Sequence, residues 1–312
     1  MTTASANTPC LRLGTRASPL AMKQAHMVAD ALVAAHGWTP EDVAIVPLTT
    51  TGDRVQDRAL AEIGGKALWT KELDAALGDG RIDIAVHSMK DVETFRPAEI
   101  TIAAMLPRAD VRDRLIGAET VAGLPRGARV GTSSPRRGAQ LLALRPDLSI
   151  LLFRGNVATR LRKLAEGQAD ATLLAAAGLH RLGQDDVGHA VPVDVMLPAP
   201  AQGAIGVEVR SNDPVTMDLL ATISDRQTFS AVMAERALLA ALDGTCRSPI
   251  AALALPDGDG FRLRAQILSP DGRETVEDEV RADPDDIIAA ATVLGAEMLG
   301  RASPALRALF GQ

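Results

Sequence analysis

The sequence predicts an α/β chain, with two sheet-and-helix units facing a shared cleft and a small α+β unit with an antiparallel sheet behind them. Three observations predict this. First, apolar strand-like runs alternate with helix-like stretches from residue 11 onward. That βαβαβ order implies a parallel or mixed sheet with helices on both faces. Second, a strand leading through Gly-Thr to Ser-Pro at a helix start occurs twice, as Gly14-Thr15-Arg16-Ala17-Ser18-Pro19 and Gly131-Thr132-Ser133-Ser134-Pro135. Third, the style changes beyond residue 226, where one helix, three strand-like segments and a last helix follow one another. The expected units are 10–106 with 203–222, then 107–202, then 226–312.

Leu11 to Thr15 reads as the first strand. Ser18 is a good N-cap and Pro19 suits the first helical position, so a helix runs from there to His36, closed by Gly37. Val43 to Leu48 is a second strand. A polar segment follows from Thr49, and Ile63-Gly64-Gly65-Lys66 is a turn into a helix ending near Leu77. The run from Arg81 to Asp91, RIDIAVHSMKD, is the centre of the first unit. Ile82, Ile84, Ala85 and Val86 fit a strand covered on both faces, broken abruptly by His87, Ser88, Lys90 and Asp91. Ile100 to Met105 is strand-like, and then the pattern restarts. Ala128 to Gly131 is a strand, and Thr132 to Pro135 opens a helix to Leu144. Ile150 to Phe153 is a strand, and Arg154 to Arg160 enters a helix to Glu166. Ala171 to Leu174 precedes a small-residue helix from Ala175 to Leu182. Pro198 to Gly203 reads as a hinge, and Ala204 to Val209 as a strand returning to the first sheet. A helix from Thr228 to Leu242 leads into Asp243-Gly244-Thr245-Cys246-Arg247-Ser248-Pro249. Strands near Ile250–Leu255, Phe261–Leu268 and Glu274–Val280 and a helix from Asp285 to Leu299 complete the third unit.

The totals narrow the class. A hydrophobic fraction of 47% supports packed cores, and 312 residues are too many for one. A net charge of -6, 2% aromatic residues and no Tyr argue against a nucleic-acid partner. No apolar run reaches membrane-spanning length. The N-terminal MTTASANTPC has no basic start before an apolar stretch and reads as a loose tail, not a secretory signal. Two cysteines, Cys10 and Cys246, make a disulfide framework improbable and fit a reducing cytoplasm. They offer no zinc spacing with the scattered histidines, so no metal is expected.

The chemistry gathers at strand ends. Lys90 and Asp91 follow a buried strand, where open α/β sheets bind ligands. There they can do acid–base work or stabilise charge, and the alternative is a solvated pair. Arg16, Arg136, Arg137, Arg154 and Arg160 cluster at strand-to-helix turns. Cations there oppose the helix dipole, so a chain that repeats the arrangement points to an anion cleft, with guanidinium forks taking carboxylate or phosphate. Lys66, beside Gly64-Gly65, can join it; the spacing is not that of a P-loop. Cys246 sits beside Arg247, which favours the thiolate, although a buried structural cysteine fits the spacing equally.

GTRASPLAMKQAH, GGKALWTKEL, DIAVHSMKD, GTSSPRRGAQL, FRGNVATRL, LPAPAQGAIGVE and DGTCRSPI, in that order, resemble the successive motifs of the porphobilinogen deaminase (hydroxymethylbilane synthase) family. The resemblance implies two binding-protein-like α/β domains facing a cleft and a transferase in tetrapyrrole biosynthesis. Its reaction joins four porphobilinogen molecules head to tail into hydroxymethylbilane, with loss of ammonia. It also implies a dipyrromethane cofactor in thioether linkage to Cys246 and a catalytic aspartate at Asp91. The groups that hold acetate and propionate arms fall on Arg16, Ser18, Lys66, Lys90, Ser133, Arg136, Arg137, Arg154 and Arg160. Each pyrrole brings two carboxylates, so primer plus product carry roughly a dozen, which an arginine-rich cleft would neutralise. Loss of ammonia leaves a cationic ring that a nearby carboxylate stabilises. A site that fills ring by ring must make room, which implies movement at Pro198–Gly203 and at the loop Gly52–Glu62. Glu62, Trp69, Glu93, Pro135 and Thr245 stand where the family pattern has lysine, phenylalanine, proline, leucine and glycine; none removes a catalytic group. A cytoplasmic monomer is expected. The competing reading is a non-catalytic carboxylate-binding module of the same two-lobed shape, a solute receptor or a regulator's effector domain. A receptor needs an export signal and a regulator a DNA-binding segment, and the sequence reads as offering neither.

Overall fold

The computed structural model describes residues 11–49, 70–245 and 247–310. Lys66, Cys246 and the loop Gly52–Glu62 therefore lie outside the described residues, as do Cys10 and Trp69.

The first sheet is ordered β2-β1-β3-β10-β4. β1 (Leu11–Arg16) runs parallel to β2 (Val43–Leu48) and β3 (Ile84–Ser88), and β10 (Ile205–Arg210) lies antiparallel between β3 and β4 (Ile100–Met105). The returning strand expected at 204–209 is thus β10, inserted beside β3. β3 is buried along its first four residues, as a central strand covered on both faces must be. It also extends through His87 and Ser88, where the polar residues alone suggested a break.

The second sheet, β7-β6-β8-β5-β9, repeats the first in order and direction. β6 (Arg129–Thr132) is parallel to β7 (Ser149–Leu152) and β8 (Ala171–Ala175). β5 (Asp113–Ile116) lies antiparallel between β8 and β9 (His189–Ala190). The repeated Gly-Thr…Ser-Pro pattern therefore marks equivalent places, the end of β1 and the end of β6. Ser18 caps α1 (Pro19–His36) by accepting from the Ala21 N–H, and Ser134 caps α3 (Pro135–Leu144) by accepting from the Arg137 N–H. Gly37 ends α1 in the left-handed region, as its position predicts.

The third sheet, β11 (Ile250–Asp257), β12 (Gly260–Leu268) and β13 (Thr275–Ala282), is antiparallel throughout. Burial alternates along β12, and its inward side packs with α7 (Arg226–Ala241) and α8 (Ile287–Arg301) around Leu238, Leu263, Ile267 and Leu294. This α+β unit also grips both chain crossings between the two larger sheets. Glu235 on α7 is fully buried and accepts from both terminal nitrogens of Arg108 (2.7 and 2.9 Å), from the Ala201 N–H (2.6 Å) and from the Ala254 N–H (2.8 Å). The Pro198–Gly203 segment is thus tied to the third unit at Ala201. At Gly203, with φ 87°, a side chain would meet the Ala109 carbonyl, so glycine is required for this close crossing.

Candidate active site

The Lys90–Asp91 pair rides on a single turn, Met89–Asp91, directly after β3. That turn is anchored from below. Met89, 1% exposed, sinks among Val92, Met105, Ala201, Ala204 and Val232, and its N–H donates to the Ala204 carbonyl at 3.1 Å. The side chain lies against Gly206 on β10, where an added Cβ would come within 2.1 Å of the Met89 sulfur. The turn brings Asp91 to the wall of a pocket. Asp91, His87, Ser88, Arg16, Ser18 and Gln24 line it, at the carboxyl ends of β1 and β3 and the start of α1. Ser88 is held by the Gln24 amide at 2.7 Å. Neither the Lys90 ammonium nor the Asp91 carboxylate has a hydrogen bond or ion pair with another described residue, and each residue is half-buried.

Behind the pocket is a charge cluster that the sequence did not announce. His87 Nε2 is 3.0 Å from the fully buried Glu208 of β10. Glu208 accepts two bonds from Arg96 (2.7 and 2.9 Å), and Arg96 also reaches Asp74 at 2.5 Å and Glu93 at 3.0 Å. Burial pushes the Glu208 carboxyl up, but His87 and Arg96 outweigh it and hold it at about 2. Glu93 further accepts from the Thr70 hydroxyl at 2.7 Å, so the residue standing where the family pattern has proline is an acceptor within this cluster.

The opposite wall comes from the ends of β6 and β7. Ser133 accepts from Arg160 Nη2 at 3.0 Å, and Arg160 Nε donates to the Gly155 carbonyl. Arg136 and Arg137 are 3% and 5% exposed and turn inward to Asp113 on β5, at 2.7 and 2.6 Å. Arg136 also donates to Gln140 and to the Leu197 carbonyl, and Arg137 to the Leu173 carbonyl. Gln202 donates to the same Asp113 at 2.9 Å, which links the cluster to the Pro198–Gly203 segment. Two arginines hold Asp113 far below the usual carboxylate range against the cost of its burial. Arg154 is likewise buried, and Lys163 donates to its carbonyl.

The two walls sense each other. Burial pushes Lys90 down to about 8, with Asp91 and Asp113 raising it and Arg137 and Arg136 lowering it further. Burial pushes Arg160 down to about 10, lowered again by Arg137 and Arg154 and raised by Asp91. The Nε–H groups of Arg136 and Arg137 also lack acceptors among the described residues. Desolvated cations with spare donors and depressed pKa values fit a ligand rich in carboxylates, because such a ligand would supply the missing counter-charge. This is the test that a dipyrromethane bearing acetate and propionate arms must pass, and the residues pass it.

The loop around position 246 meets the segment just after the Met89–Asp91 turn. Thr94 donates its hydroxyl to the Gly244 carbonyl at 2.7 Å. Thr245 and Ser248, on either side of Cys246, are bonded through the Thr245 N–H to Ser248 Oγ (3.0 Å) and the Ser248 N–H to the Thr245 carbonyl (3.0 Å). Among the described residues there is no group of three or more His, Cys, Asp or Glu able to hold a metal, and no helix long and apolar enough to cross a membrane.

A family model for the dipyrromethane cofactor binding domain of porphobilinogen deaminase matches residues 11–218, and one for that enzyme's C-terminal domain matches residues 229–300. The porphobilinogen deaminase of Sphingopyxis alaskensis is 59% identical over 306 residues, covering 96% of each chain. That of Paracoccus denitrificans is 54% identical over 295 residues, covering 94% of each. Among solved structures, a periplasmic substrate-binding protein of an ABC transporter from Coxiella burnetii aligns with 72% of this chain and 96% of its own, at 16% identity and a TM-score of 0.43. With family models covering both the paired sheets and the C-terminal unit, and relatives more than half identical along nearly the whole length, the chain belongs to the porphobilinogen deaminase family.

Proposed function

We propose that this chain is a hydroxymethylbilane synthase, joining four porphobilinogen molecules head to tail into the linear tetrapyrrole hydroxymethylbilane and releasing ammonia at each addition. Family membership carries the reaction. The cleft's desolvated cations support its assignment to this site, since Lys90 and Arg160 have depressed pKa values near guanidinium N–H groups that lack acceptors among the described residues.

When bound through a thioether to Cys246, the dipyrromethane supplies the ring end onto which the chain grows. The protein's own residues do the rest. Asp91 holds a carboxylate beside the ring that loses ammonia, stabilises its positive charge and takes the proton released as the new bond forms. Lys90, Arg16, Arg154, Arg160, Arg136 and Arg137 receive the acetate and propionate arms, with Ser18 and Ser133 at the two helix starts and Lys66 from the segment before α2 (Lys71–Gly78). Arg136 and Arg137 share Asp113, so they enter as one rigid unit with one N–H each in reserve. The working units are 10–106 with 203–222, 107–202 and 226–312. The product serves tetrapyrrole synthesis, haem included, in a cytoplasmic monomer.

Intact mass spectrometry of the purified protein tests this. The wild type is expected to carry an adduct of two pyrrole units that is absent from Cys246→Ser. An active wild type of unmodified mass would remove Cys246 as the anchor.

A further inference from the structure

We infer that Thr94 is a positioning residue that sets the spacing between the Asp91 carboxylate and the anchor loop at Cys246; this rests on the reading that Cys246 holds the primer. Thr94 lies three positions after Asp91, and Gly244 two before Cys246. Their side-chain-to-carbonyl bond of 2.7 Å joins segments 150 residues apart.

Both ends of that bond are stiff. On the Asp91 side, Val92 is buried and its N–H returns to the Met89 carbonyl at 3.2 Å, while the Glu93 carboxylate is fixed by Thr70 and Arg96. On the anchor side, the Gly244 N–H donates to the Leu239 carbonyl at 2.8 Å, which closes the C-terminal turn of α7 after Asp243 (φ 45°) and ties Gly244 to the helix end. A second strut runs beside the first. Arg236, on the same helix and 6% exposed, donates to the carbonyls of Val92, Glu93 and Thr94 at 3.4, 2.7 and 3.1 Å. Arg236 therefore joins the helix body to the segment after Asp91, and Thr94 joins that segment to the loop the helix launches. The helix strut fixes orientation, whereas the Thr94 bond acts on the loop itself at its start, as the Leu268 N–H does on the Pro249 carbonyl at its end (3.1 Å).

The spacing matters because one carboxylate must serve every addition while the anchor stays put. Each new chain end has to return to the same acid, and the loop's freedom sets how often it does so. A tether that loosens the loop lowers the fraction of productive encounters without touching any group that binds porphobilinogen. A loop bond that merely supported folding would act on stability and leave turnover alone.

Thr94→Val removes the hydroxyl at nearly constant volume, and Thr94→Ser restores it. Three readouts apply to the full-length protein: hydrogen exchange of the peptide spanning residues 243–250, the rate at which unloaded protein given porphobilinogen gains the two-pyrrole mass, and kcat and KM for porphobilinogen. Thr94→Val is expected to exchange about threefold faster in that peptide. It is also expected to load more slowly and to lose about tenfold in kcat with KM within about twofold. Thr94→Ser is expected to recover all three. Wild-type exchange and kcat in Thr94→Val, or Thr94→Ser no better than Thr94→Val, would overturn the inference. If the wild type never gains the adduct, the reading of Cys246 fails instead, and the exchange comparison still decides the tether.

Discussion

Arg96 and Glu208 meet in a two-pronged ion pair, Nε to Oε1 at 2.7 Å and Nη2 to Oε2 at 2.9 Å, with the carboxylate fully buried. The pair ties β10, the strand that returns after the second sheet, to the segment following the Asp91 turn. Its strength is readable in acid. The Glu208 carboxyl is held at about 2 against an ordinary 4.5, so its contribution is complete above pH 4.5 and is lost as pH falls through about 2. Across that window the wild type should lose about 3 kcal/mol from this group. Glu208→Gln should already be weaker at pH 7 by about 3–5 kcal/mol, because Arg96 then stays buried with one partner fewer, and its stability should change less below pH 4.5. Denaturant unfolding at pH 7, 5, 4 and 3 compares the two slopes.

Lys90 gives the opposite kind of pH dependence. Burial, with Arg137 and Arg136 nearby, brings its ammonium down to about 8 from 10.5. The unfolded chain therefore holds more protons between pH 8 and 10.5, and the unloaded fold gains stability as pH rises through that range. A bound carboxylate favours the ammonium and raises its pKa, so binding takes up a proton and weakens above pH 8, by at most about tenfold per unit. KM for porphobilinogen measured from pH 7 to 10 should rise through 8 in the wild type. Lys90→Arg, which stays charged, should flatten the profile, and Lys90→Met should melt higher than the wild type when unloaded at pH 7.

Asp91 is free of structural duty, which makes it the cleanest position for substitution. Its carboxylate has no hydrogen bond or ion pair with another described residue, while it acts on both Lys90 and Arg160. Asp91→Ala should therefore keep its melting temperature within about 3 °C of the wild type. Turnover should fall by about 100-fold or more, the loss expected of the charge proposed to steady the cationic ring. Lys90 loses a neighbour that raises its pKa, so the KM profile in this variant should shift to lower pH. Product formation near the wild-type rate would remove Asp91 from the mechanism.

Much of this was legible in the sequence because it is local. The capped helix starts at Ser18 and Ser134, the buried run of β3 and the alternation along β12 each follow from a few neighbouring residues. β5 was not legible. Asp113-Arg114-Leu115-Ile116 is short and half charged, and Arg136 and Arg137, more than twenty positions on, make Asp113 a buried acceptor inside a sheet. The same holds for Glu208, whose partners Arg96 and His87 are over a hundred residues away, and for the Thr94–Gly244 bond. The arginines were visible as a set, but not their division of labour: Arg136 and Arg137 face a protein carboxylate, whereas Lys90 has no ion-pair partner among the described residues.

Gly206 explains how the turn carrying Asp91 keeps its place. The strand β10 passes beneath Met89 so closely that a Cβ at Gly206 would stand 2.1 Å from the sulfur and 2.7 Å from Cγ. Gly206→Ala must shift the Met89 side chain within its core among Val92, Met105 and Val232, directly under the turn that holds Lys90 and Asp91. The expected cost is about 1–3 kcal/mol of stability and a loss of turnover larger than that instability explains. Met89→Ala alone leaves a cavity and should cost about 2–5 kcal/mol. The two changes together put the new methyl into the space the sulfur vacates, so the double variant should be less damaged than the sum of the singles by about 1 kcal/mol or more. Unfolding free energies of the four proteins close this cycle. Strict additivity would mean that Met89 does not rest on Gly206, and that something other than this contact holds the Asp91 turn in position.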